Sequence, residues 1–124
     1  MPFIHDTALD ALLNDIDSNA EELHICTAEP TTYTEATVTY SKGQKTALVV
    51  NAPTDRAGNG REIVIPAITD GAVDGDGTVT HWAIVKASAT SRLLAAGTLA
   101  SGQAVTNGNT FTLTEFAIGV PDAV

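Results

Sequence analysis

The sequence predicts a mainly β protein: a β-sandwich or squashed barrel of about six strands, with an N-terminal amphipathic helix and a second short helix. Three observations carry this prediction. From Thr78 to Gly119 the chain alternates apolar runs of strand length with Ser, Gly and Asn punctuation. Thr, Ala, Val and Gly are plentiful, a composition suited to strands and tight turns. A clear helical stripe occurs only near the N-terminus. At 124 residues the chain is expected to form one domain, residues 1–20 making an acidic arm and 21–124 the β core.

The predicted helix spans residues 6–17. Leu9, Leu12, Leu13 and Ile16 recur at i, i+3, i+4 and i+7, while Asp10, Asn14, Asp15 and Asp17 occupy other faces. Asp6 or Thr7 can cap its start, and Asp17 opposes the dipole at its end. Four acids and no base leave this helix weak alone, so it needs packing against the sheet or a partner.

Glu22–Thr27 reads as a short strand, with Leu23 and Ile25 on one face and His24 and Cys26 on the other. Thr32-x-x-Glu35 is a capping-box pattern, and Tyr33, Ala36, Thr37 and Tyr40 follow at helical spacing, with Gly43 as the stop. Strands are then expected at Lys45–Val50 and Arg61–Ile68, separated by the turn-rich Asn51–Gly60. Pro66 cannot donate to a ladder, which puts that end at an edge or bulge. Thr69–Gly77 reads as turn. Strands follow at His81–Ala87, Arg92–Leu99 and Thr110–Gly119, with Asn107–Gly108 as a turn before the last.

That last strand has a phase fault. Phe111 and Leu113 share a face, yet Phe116 and Ile118 resume it one residue out of step. A one-residue slip would turn the apolar set to solvent. A β-bulge near Thr114–Glu115 repairs it; the alternative is a strand that passes from one sheet to another.

The net charge of −9 is unevenly spread. Residues 1–41 hold eight acids and no Lys or Arg, giving −8, whereas seven acids and six bases in 42–124 leave −1. Such an acidic segment repels phosphate backbones, so direct nucleic-acid binding is disfavoured. It suits a solvated face, or steering toward a basic protein surface. The N-terminus lacks a basic n-region, no signal peptide is expected, and no apolar run approaches membrane-spanning length.

No stretch carries a catalytic or cofactor signature, and an enzyme is not expected. Asp74-Gly-Asp76-Gly resembles the start of a calcium loop, but the twelfth position is Val85, so turn chemistry explains it without a metal. His5, His24 and His81 have no ligand spacing. No serine sits in a G-x-S-x-G setting. Cys26 is the sole cysteine and reads as a small buried hydrophobe. Trp82 reads as a core anchor, with an interface anchor as its other role.

The run His24–Gly43, followed by DRAGNGRE at Asp55–Glu62 and by HWAIV from His81, resembles small virion proteins of tailed bacteriophages. The likeness extends from about residue 7 to Pro121 and lies in the overall pattern. It implies a capsid decoration or cement protein that binds the outside of the shell and stabilises contacts between major capsid subunits. The expected partners are the major capsid protein and further copies of the chain, with a trimer favoured; no membrane partner and no cofactor are expected. The location implied is the virion, after synthesis in the host cytoplasm. Phe3, Asp10, Asp15 and Asp17 are the candidate capsid contacts. The alternative is a tail- or fibre-associated binding module that recognises host glycans. Such a site needs exposed aromatics, which are scarce at 5% of residues.

Overall fold

A computed structural model of the chain describes residues 5–56, 60–88 and 90–120. Phe3, the middle of the Asn51–Gly60 loop and Pro121 lie outside the described residues. The fold is mainly β, as the sequence predicts. Among the described residues a helix, α1 (Asp6–Asn19), precedes nine strands: β1 (Glu22–Cys26), β2 (Ser41–Thr46), β3 (Thr54–Asp55), β4 (Arg61–Ile65), β5 (Ile68–Val73), β6 (Gly77–Lys86), β7 (Arg92–Val105), β8 (Thr110–Leu113) and β9 (Phe116–Val120). A five-residue π-helical turn, Glu35–Thr39, joins β1 to β2. Six strands form a half-barrel sheet in the order β7-β6-β1-β2-β5-β8; β3-β4-β9 form a smaller sheet. Every pairing is antiparallel.

The chain changes sheet between β8 and β9, at Thr114–Glu115. β8 pairs with β5 in the large sheet, and β9 pairs with β4 in the small one. The phase fault is therefore a switch between sheets and not a bulge within one strand. The two residues outside the ladders absorb the slip. Phe111 is buried, while Leu113, Phe116 and Ile118 are half-buried and pack on the same core. The β4–β5 connection at Pro66–Ala67 makes a second crossing, where the missing proline N–H ends β4 three residues short of the predicted limit.

β1 is central and buried on both faces, which its short apolar alternation did not reveal. Leu23 and Ile25 join Ile65, Ile68, Ile84 and Phe111 in the main core between the sheets. Cys26 faces the other way, with Ala36, Ala83 and Val85, and Tyr33 and Tyr40 cover it from the Glu35–Thr39 turn. His24 lies on that second face and is only 3% exposed. Its ring nitrogens are both engaged, Nδ1 with the Ser41 hydroxyl at 3.0 Å and Nε2 with a Glu22 carboxylate oxygen at 2.9 Å. Burial of this polar ring is thus compensated.

Several element boundaries differ from expectation for identifiable reasons. The capping box at Thr32 forms in part: its hydroxyl accepts from Glu35 N at 3.1 Å, and the Glu35 carboxylate reaches Thr31 N at 2.8 Å. The helical turn ends at Tyr40, whose N–H donates to Glu35 O at 2.9 Å, and not at Gly43. Gly43 instead sits within β2, where an added Cβ would lie 2.5 Å from the Ala72 carbonyl oxygen. The strand expected at Lys45–Val50 begins four residues earlier and ends at Thr46, because Ala47 turns to φ 53°. Thr69–Gly77, expected as turn, is mostly β5. Its Asp70-Gly71 pair is held in the sheet by the Phe111 ring, which lies across Gly71 on the paired strand. β6 starts four residues before His81, and β7 runs six residues past Leu99.

α1 packs against β4 and β7. Only Leu9 and Leu13 of its stripe are buried; Ile16 is half-buried and Leu12 is 56% exposed. The helix rests on the body along one narrow line, so the i+3 position rolls out to solvent. Its start is capped by the His5 ring, which accepts from Thr7 N at 3.2 Å, and not by Asp6 or Thr7. It ends at Asn19, whose amide donates to Asp15 O at 2.8 Å.

Candidate binding surface

The predicted contact residues on α1 separate into two kinds. Asp10 accepts from Arg61 of β4, Nε to Oδ1 at 2.7 Å and Nη2 to Oδ2 at 3.3 Å. Arg61 also reaches Asp55 at 2.5 Å and the Pro53 carbonyl at 3.4 Å. These two carboxylates raise its pKa above the ordinary guanidinium value, the Asp10 hydrogen bond contributing most. Asp15 takes both terminal nitrogens of Arg92 of β7, at 2.9 and 3.1 Å, and this holds its carboxyl below the ordinary value. Two of the acids on the arm are thus engaged by bases distant in sequence. Asp17 has no ion-pair partner among the described residues and stands half-exposed. With exposed Leu12 it remains available to a partner. Sequence reasoning missed Arg61 and Arg92, since nothing local ties a residue in the β core to a helix acid fifty or more positions away.

The other singled-out residues serve structure. His81 Nδ1 meets the neighbouring Thr80 hydroxyl at 2.8 Å, and His5 caps α1, so the three histidines stand apart. Asp76 accepts from Asn107 N at 2.8 Å, which ties the β5–β6 turn to the β7–β8 turn. Cys26 is fully buried, and burial pushes its thiol up to about 11.

A roomier concavity lies elsewhere. The half-barrel does not close, and between its edge strands β7 and β8 runs an open groove of about 820 Å³. Trp82 of β6 and Phe116 at the start of β9 stack there, with ring centroids 4.7 Å apart and planes at 41°. Trp82 is half-buried against the main core, so it belongs to the core margin and the groove at once. Its ring lies over Gly97 of the paired strand, where a Cβ would stand 2.6 Å from the indole.

An irregularity shapes one wall. Val79 pairs with Gln103 and His81 with Thr98, so five steps of β7 oppose two of β6. This bulge carries Leu99–Ser101 into the groove wall. The hydroxyls of Thr98, Ser101, Thr112 and Thr114 stand exposed along the rim, and no lining residue is ionisable. The groove has the size of a small-ligand site or of a short extended peptide. Its chemistry is non-covalent: two aromatic rings, aliphatic walls and neutral hydroxyls. Sequence offered one clue to it, the uncharged run from Leu93 to Thr114. The chain matches no protein-family model, no curated protein and no solved structure.

Proposed function

We propose that this chain is a capsid decoration (cement) protein that binds the outside of a bacteriophage shell and stabilises contacts between major capsid subunits. The observation that carries this reading is that one β body exposes two chemically distinct surfaces. One is the solvent side of α1, with exposed Leu12 and half-exposed Asp17 on opposite flanks of its buried stripe; the other is the neutral groove between β7 and β8. A cement must engage neighbours on more than one side, and simultaneous weak contacts multiply into firm attachment. The pattern-level likeness to small virion proteins supports the same reading. So does the net charge of −9, which favours a basic protein surface over nucleic acid.

Co-sedimentation with undecorated phage shells tests it. The purified protein is expected to saturate a fixed number of sites, with high salt slowing association more than it speeds loss. Absence of binding to any shell surface overturns the reading. One observation favours a second reading, a tail or fibre module for neutral glycans: the Trp82–Phe116 pair lies within a hydroxyl-bearing rim. Trp82 is the only tryptophan, so its emission during titration with neutral oligosaccharides reports directly on that reading.

A further inference from the structure

We propose that the uncharged seam between β7 and β8 is a self-association surface, where an edge strand of a second copy of this chain lies along the groove and covers Trp82 and Phe116. The inference rests on the reading of the chain as a structural interaction protein and names the partner at one of its two faces.

Both walls of the seam are sheet edges. Among the described residues β7 pairs only with β6, and β8 only with β5, so each presents a row of backbone N–H and C=O groups to the seam. Exposed edges invite a further strand, and proteins that remain monomeric protect them with Lys, Pro or inward charges. None of these occurs here. Residues 93–114 contain no Asp, Glu, Lys, Arg or Pro, in a chain with 15 acids and 6 bases elsewhere. Two milder devices are present: β8 is only four residues long, and the bulge opposite Thr80 interrupts β7, but that bulge carries Leu99 into the groove wall instead of blunting the edge.

Charge selects the occupant. Two bodies each carrying −9 repel, and they approach with least apposition of carboxylates on a neutral face. The seam is such a face, and it is complementary to itself, because apolar side chains and neutral hydroxyls on one copy meet the same groups on the next. A charged partner would leave its charges unpaired against this lining. Interfaces between identical subunits are depleted of charge at their centre and enriched in aromatics, as the Trp82–Phe116 pair is placed here.

Size agrees as well. Strand rise, strand spacing and sheet spacing together give an extended residue roughly 160 Å³. The groove of about 820 Å³ then holds about five residues of added strand. β8 is four residues long, and the groove-facing stretch of β7 spans residues 98–103. Main-chain hydrogen bonds would supply registry, and alternate side chains would enter the aromatic floor.

Sedimentation velocity and light scattering on the full chain test this directly. The wild type is expected to pass from monomer to a defined oligomer between about 1 and about 100 µM, with Trp82 emission shifting to the blue in step. Ser101→Lys with Thr112→Lys places two like charges on the exposed rim and should raise the midpoint of association more than about tenfold. Asn14→Lys with Ser18→Lys makes the same net charge change on exposed positions of α1 and should leave association intact. Circular dichroism checks that each variant is folded. Should the lysine pair disturb the β core, Thr98→Glu on the same rim replaces it.

A wild type that stays monomeric throughout the range overturns the inference. So does an oligomer equally insensitive to rim and helix charges. So does an emission change produced by a neutral oligosaccharide at constant mass, which would assign the groove to a glycan. A monomer that still co-sediments with shells removes this inference and leaves the capsid reading standing. An oligomer that ignores shells does the reverse.

Discussion

Gly97→Ala tests the geometry of the groove with a single methyl. Gly97 pairs with Trp82 across β6 and β7, and a Cβ there would stand 2.6 Å from the indole ring. Favourable carbon contacts lie at ~3.5–4.0 Å, so the ring must retreat by about 1 Å or the strand must bend. Overpacking of this kind costs about 1–3 kcal/mol. Displacing the ring also weakens its stack on Phe116, which contributes roughly 0.5–1.5 kcal/mol beyond area burial. Alanine recovers about 0.5–1 kcal/mol because its unfolded chain is less free than glycine's. The net expectation is a loss of about 1–3 kcal/mol. For a domain of this size each kcal/mol moves the melting temperature by roughly 3–6 °C. Thermal melts followed by circular dichroism, together with Trp82 emission, provide the assay. A fall of at least a few degrees and a red-shifted emission are expected. A variant with unchanged or higher melting temperature and unchanged emission would refute the placement of Trp82 over Gly97.

Cys26 provides a probe of the opposite face. Burial pushes its thiol from 9.0 up to about 11, so at pH 8 the native protein should hold about a hundredfold less thiolate than the unfolded chain, and alkylation should be slowed by at least that factor. Because the folded value is the higher one, this contribution is fully present below about pH 9 and lost as pH rises toward 11; wild type should lose ~3 kcal/mol more than Cys26→Ala over that window. Equal alkali sensitivity of the two proteins would contradict the burial. The helix acids give a further test. Asp10→Asn with Asp15→Asn should loosen α1 from the sheet, seen as faster amide exchange across residues 6–19 with β-core protection unchanged. Asp17→Asn, which breaks no ion pair among the described residues, should weaken shell binding at low salt without that loosening. For Asp15 the carboxyl is held below its ordinary 3.8 by Arg92, so its contribution is present above that pH and lost as pH falls through the folded value. Acid titration of α1 exchange in wild type and Arg92→Gln checks the sign.

Local pattern was enough to identify α1, the apolar face of β1, a strand beginning at Arg61, and the helical turn after Thr32. Each depends on contacts within a few residues: i to i+4 stripes, period-2 alternation, or a threonine hydroxyl reaching the amide three positions on. Even the sheet change at Thr114–Glu115 left a trace, as a phase fault between Leu113 and Phe116. That trace had two repairs, and only the pairing of β9 with β4 chose between them. The remaining features depend on neighbours distant in the chain. Gly71 joins a strand despite its turn-like setting because Phe111 lies across it. Gly43 serves close strand packing because Ala72 stands opposite. His24 is buried on the sheet face that the turn carrying Tyr33 and Tyr40 covers, with Ser41 of the neighbouring strand on its ring. Asp10 and Asp15 look unopposed in an arm without bases until the fold brings Arg61 and Arg92 beside them. The groove itself exists only because two edges of one curved sheet stop short of meeting. No window of sequence contains that distance, since it is set by the summed twist and register of six strands.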